Sequence, residues 1–97
     1  MKQLTIICSP ELTDRVVSVL GAHDLEGFLE VGEVTGNLFE TRDPLSRTLT
    51  WDGVMLQTWV RDDAVAADLA TDLVALRKDC ASHPCLRFYF SPAEEVL

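Results

Sequence analysis

Basic residues are scarce in this chain: eight Lys and Arg stand against sixteen Asp and Glu, a formal net charge of −8 at pH 7. Nucleic-acid binding relies on clustered Lys and Arg that neutralise phosphates, and no basic run or stripe exists here, so nucleic acid is not an expected partner. Long apolar runs are also lacking. None reaches the roughly 18 residues needed to span a bilayer, so direct membrane insertion is not expected. The opening Met1–Cys8 is apolar for too short a stretch to form a signal-peptide core, which makes the cytoplasm the expected location. Cysteine is sparse and odd in number, with only Cys8, Cys80 and Cys85. Without a secretion signal this argues against a disulfide framework, and reduced thiols are expected. The two histidines, His23 and His83, have no serine, cysteine or carboxylate partner fixed by a catalytic motif, so the chain is not expected to be an enzyme.

What is present is an ordinary globular composition, 47% hydrophobic and 25% charged over 97 residues, enough for one domain spanning residues 1–97 and one core. Leu4, Ile6 and Cys8 alternate with Thr5 and Ile7 as a first strand. Ser9-Pro10 predicts an N-cap with proline at the first helical position, and Leu12, Val16, Val19 and Leu20 give that helix an apolar stripe ending at Gly21. Residues 25–34 read as a second strand, with Gly27 and Gly32 allowing a turn and a bulge. Residues 36–53 read as one long polar connection. Its charged residues Glu40, Arg42, Asp43, Arg47 and Asp52, with Phe39 and Trp51 as anchors, suit docking on a partner protein. Val54–Arg61 reads as a third strand entered through Asp52-Gly53. Asp62 or Asp63 caps a second helix carrying Val65, Leu69, Leu73 and Leu76, and Leu86–Phe90 is a final aromatic strand closed by Ser91-Pro92.

The order strand, helix, strand, strand, helix, strand is the βαββαβ unit of an α+β ferredoxin-like sandwich, a four-stranded antiparallel sheet with two helices on one face. With Leu4, Ile6, Val54, Leu56, Leu86, Phe88 and Phe90 turned to the helices, the other face displays Ile7, Met55, Trp59 and Tyr89 among Gln3, Thr5, Gln57 and Arg87. Such a face suits burial by self-association.

Cys80-x-x-His83-x-Cys85 gathers two thiols and an imidazole within one short loop, a donor set suited to zinc or copper(I), with Cys8 a conceivable fourth ligand. The same residues also read as small half-buried side chains flanking a His83-Pro84 turn, or as a redox-switchable cysteine pair. Spacing alone leaves these alternatives open.

The run from Lys2 to Val17 resembles the first strand and helix of PII-type signalling proteins. Leu25-Glu26-Gly27-Phe28-Leu29 followed by Val31-Gly32-Glu33-Val34-Thr35-Gly36 looks like their second strand leading into the T-loop, and Val54–Val60 like the strand returning from it. The resemblance implies a homotrimer with sheets packed inward and a small ligand, a nucleotide in many members, held in clefts between subunits. By family position Gly27, Phe28, Gly36 and the segment before Leu86 would border that cleft. It further implies action on a partner such as a membrane transporter or an enzyme. The chain departs from the nucleotide-binding members after the second helix, where their glycine- and lysine-containing B-loop is replaced by Asp79-Cys80-Ala81-Ser82-His83-Pro84-Cys85. The T-loop equivalent is short and has no tyrosine. A divergent PII-like branch associated with transport or metal resistance is the better comparison, and the alternative function is heavy-metal handling by Cys80, His83 and Cys85 in a protein similar in fold to the CutA-like relatives.

Overall fold

The structure is a computed structural model and describes residues 1–39, 48–78, 80 and 84–96. Strand β1 (Lys2–Cys8) is followed by a single 3-10 turn at Pro10–Leu12 and helix α1 (Thr13–Gly21); β2 (Leu29–Phe39), β3 (Thr48–Val60), α2 (Asp63–Arg77) and β4 (Leu86–Pro92) complete the order. The four strands form one antiparallel sheet in the order β2-β3-β1-β4. This is the α+β ferredoxin-like arrangement expected from the sequence.

Register explains why the helices sit where they do. In β1 the buried positions are Leu4, Ile6 and Cys8, whose partners on β3 are Thr58, Leu56 and Val54 and on β4 are Phe90, Phe88 and Leu86. One continuous apolar face results. Leu12, Val16 and Leu20 from the first helical segment and Ala66, Leu69, Leu73 and Leu76 from α2 close over it. Each fully buried leucine contributes about 1.5–3 kcal/mol by leaving water. Thr58 is the polar exception in this layer; its hydroxyl donates to the Gly27 carbonyl at 2.6 Å, which removes the cost of burying it.

The caps are divided differently from the sequence expectation. Asp62 does cap α2, accepting from the Ala64 amide at 2.8 Å. Ser9 occupies the N-cap position with Pro10 first in the turn, as expected, but makes no side-chain cap; it lies buried, and its Oγ accepts from the Cys85 amide at 3.0 Å while its own amide donates to the Cys85 carbonyl at 2.8 Å. Ser9 therefore ties the end of β1 to the start of β4.

The largest correction concerns residues 36–53. Most of the expected polar connection is strand: β2 continues to Phe39 and β3 begins at Thr48, with Gly36 opposite Trp51 and Asn37 opposite Thr50. Polar residues are compatible with strand here because β1 pairs with β3 only as far as Val54, so the outer part of the hairpin is a two-stranded ribbon with no core to satisfy. Its polar side chains pair across the ribbon instead: Thr35 Oγ1 donates to Asp52 at 3.5 Å, and Thr50 Oγ1 donates to Asn37 at 3.4 Å. Asp52-Gly53 accordingly lies inside β3 rather than at its entry. Glu40, Arg42, Asp43 and Arg47 lie outside the described residues.

The second strand also begins later than expected, at Leu29, and carries a bulge between Glu30 and Gly32, where Val31 is the extra residue. Gly32 has φ 107°, a conformation that side chains resist, and this fixes the bulge at that point.

Candidate functional site

The helix-free face of the sheet is the first candidate surface. Gln3, Thr5 and Ile7 of β1 are half-buried there, as are Met55 and Gln57 of β3, with the Gln57 amide donating to Thr5 Oγ1 at 3.5 Å. Trp59 and Tyr89 are 41% and 55% exposed, as the alternation of β3 and β4 predicts. Two further apolar residues join them from β2. Leu29 pairs with Gln57 and so shares its face, and Leu29 and the bulge residue Val31 are 51% and 54% exposed. Sequence reading missed this pair because the bulge shifts the strand's register by one residue, and a one-residue shift exchanges the faces. The signal was Gly32 itself.

A second locus surrounds Trp59 and Arg61. Two clefts of about 240 and 290 Å³ share Glu26, Trp59 and Arg61 in their walls. Arg61 donates to Glu95 at 2.6 Å and approaches Glu26 at 3.6 Å. The Glu95 hydrogen bond, then the charges of Glu95 and Glu26, push its pKa further up, so the guanidinium stays charged and fixes the C-terminal segment beside β3.

The third locus is the turn before β4. Cys80 and Cys85 are joined by a disulfide, with Cα atoms 5.6 Å apart, inside the usual bridging range. This differs from the expected reduced thiols: the short chain between the two cysteines brings them together whatever framework the rest of the protein lacks. Cys85 has φ 63°, rare for a residue with a Cβ, and is held there by the Ser9 hydrogen bonds. Arg77 Nε donates to the Leu86 carbonyl at 3.0 Å, and its guanidinium lies over the Phe88 ring at 5.3 Å. Arg77, Pro84, Cys85, Arg87 and Tyr89 help to line a cleft of about 330 Å³ at the outer edge of β4.

The candidate ligand residues do not form one pocket within a single chain. Gly27 offers its carbonyl to Thr58, Phe28 is 40% exposed just before β2, and Gly36 lies far along that strand. At about 3.3 Å per residue Phe28 and Gly36 are roughly 25 Å apart. Gly36 has a packing duty: a Cβ there would overlap the Trp51 indole, which also covers Gly53. Of the candidate metal ligands, Cys80 and Cys85 are brought together by their bond, and His83 lies outside the described residues. Among the described residues no group of three or more His, Cys, Asp or Glu side chains converges as a cation site. Cys8, the conceivable fourth ligand, is buried in the core; burial first, and the Glu11 charge to a smaller degree, push its thiol up from 9.0 against the Thr13 hydrogen bond. His23 Nε2 contacts Asp72 at 2.7 Å, joining the end of α1 to α2.

No family model matches the chain, and no curated protein matches it in sequence. Its fold resembles that of a DUF3240 family protein. That protein, from Shewanella baltica OS155, superposes with a TM-score of 0.65 over 98% of this chain and 91% of its own, at 20% identity. At that identity the likeness concerns the fold. The superposition covers nearly the whole of both chains. No helix among the described residues is long and apolar enough to cross a membrane.

Proposed function

We propose that this chain is a PII-like regulatory protein that assembles as a homotrimer through the helix-free face of its sheet, holds a small ligand between subunits and acts on a transporter or enzyme through the β2–β3 ribbon. The observation that carries the reading is the exposed apolar set Leu29, Val31, Trp59 and Tyr89 on or beside a sheet face that no helix among the described residues covers. Apolar surface grouped in this way favours association, and a repeated self-complementary contact closes into a symmetric oligomer. In this reading the cleft draws Gly27 and Phe28 from one copy and Gly36 from another, because they lie far apart within one chain. The ribbon reaches beyond the part of the sheet paired to β1, which suits it to contact another protein.

The test is native mass spectrometry of the reduced, metal-free protein, titrated with adenine nucleotides and separately with zinc and copper(I). The reading expects a species of three 10.8 kDa chains that gains nucleotide. Metal uptake that depends on Cys80 and Cys85, without nucleotide, would replace it with the heavy-metal alternative.

A further inference from the structure

We propose that Cys80 and Cys85 form a reversible thiol–disulfide exchange site for an anionic low-molecular-weight thiol of the glutathione class, and that the base of the β2–β3 ribbon responds to its redox state. This stands independently of how the protein assembles. Both cysteines are half-buried rather than sealed in the core, so a small thiol reaches them; Cys8, by contrast, is fully enclosed. The chain carries a net charge of −8, yet two of its eight basic residues, Arg77 and Arg87, line the cleft that holds Cys85. Arg77 is fixed at the rim by the Leu86 carbonyl and the Phe88 ring, and Cys85 Sγ lies 3.7 Å from the Arg77 carbonyl. Two guanidinium groups in the walls of the cleft that Cys85 also lines suit a thiol that bears carboxylates.

The exchange balances without any further reagent. One protein thiolate attacks a sulfur of the oxidised small molecule, forming a mixed disulfide and expelling the other half as a thiolate that takes up a proton. The second protein thiolate then attacks the protein's own sulfur in the mixed disulfide, closing Cys80–Cys85 and releasing the second small molecule as a thiolate that takes up a proton. Two protein thiols lose two protons and two electrons, and one disulfide becomes two thiols.

The consequence for the ribbon follows from a chain of contacts. Cys85 is held with φ 63° by the disulfide and by its two hydrogen bonds to Ser9. Pro84, directly before it, is buried against Gly53, where a Cβ would stand 3.5 Å from its ring. Gly53 lies under Trp51, and Trp51 covers Gly36 across the ribbon. Opening the disulfide leaves Ser9 alone to hold Cys85 in a conformation it resists, so Pro84 loosens and the support beneath Trp51 weakens.

The test combines intact mass with amide hydrogen exchange on the full chain. Reduced protein given oxidised glutathione should pass through a transient adduct and end about 2 Da lighter, the loss of two hydrogens, and dithiothreitol should reverse it. Amides of residues 34–37 and 50–53 should exchange about tenfold faster in the reduced state. Cys80→Ser should stop at the adduct on Cys85 and show the faster exchange in both buffers. Arg87→Gln, which leaves both cysteines in place, should slow reaction with oxidised glutathione about threefold and leave reaction with uncharged hydroxyethyl disulfide unchanged. Three persistent free thiols, or an adduct that never resolves in the unaltered protein, would overturn the exchange site. Equal loss with both disulfides would overturn the role of the arginines, and equal ribbon exchange in the two redox states would overturn the coupling.

Discussion

Replacing Gly36 with alanine should weaken the ribbon through one identifiable collision. The added methyl falls within the Trp51 indole on the paired strand, so either the ring leaves its place over Gly36 and Gly53 or the strands separate. Introducing a methyl into a filled contact costs about 1–3 kcal/mol, whereas alanine in an open strand position would gain about 0.5–1 kcal/mol over glycine. The sign therefore depends on the indole. Gly36→Ala is expected to destabilise by about 2 kcal/mol in the unaltered chain, and to be neutral or mildly stabilising when Trp51 is already alanine. Urea unfolding of the four members of this cycle, followed by circular dichroism, gives the coupling directly; about 2 kcal/mol is expected. Additivity within about 0.5 kcal/mol would refute the reasoning, because a clash with Trp51 cannot persist when Trp51 is gone.

Two further predictions concern the core. Thr58→Val keeps the shape of a fully buried side chain but leaves the Gly27 carbonyl without its 2.6 Å donor, so a loss of about 1–2 kcal/mol is expected in denaturant unfolding. A neutral result would mean that water reaches Gly27. Burial raises the Cys8 pKa above 9.0, so the stability gained from keeping this thiol neutral is fully present below that value and is lost as pH rises through the raised folded value. Between about pH 8 and pH 10 the unaltered protein should lose more stability than Cys8→Ala, and native-state alkylation at neutral pH should leave Cys8 unlabelled; parallel losses would contradict its burial.

The elements that bury side chains were legible in the sequence, and those that do not were misread. Leu4, Ile6, Leu56 and Leu86 could be assigned to the helix side because alternation in a half-buried strand records which face is dry. The ribbon carries no such record: Thr35, Asn37, Thr50 and Asp52 satisfy one another across two strands, and nothing in their polarity separates a paired ribbon from a loop. The apolar sheet face was half visible, through Trp59 and Tyr89, while Leu29 and Val31 were hidden by the bulge at Gly32. The Cys80–Cys85 bond was legible as a possibility of spacing, but a pairing depends on backbone course, here the turn that Ser9 fixes from 76 positions away. Ser9 does stand at the N-cap before Pro10, as expected, but its hydroxyl is turned to Cys85 instead of the helix, and local sequence contains no sign of that distant partner.

Assembly through the helix-free sheet face is the central claim, and sedimentation velocity of the unaltered chain beside Trp59→Glu and Tyr89→Glu tests it most directly. Trp59 and Tyr89 are 41% and 55% exposed in the single chain and lie outside its buried core, so the substitutions should leave the monomer fold intact by circular dichroism. The account predicts a trimer for the unaltered protein and a folded 10.8 kDa monomer for each variant. An unaltered protein that sediments as a monomer, or variants that remain trimeric, would contradict it.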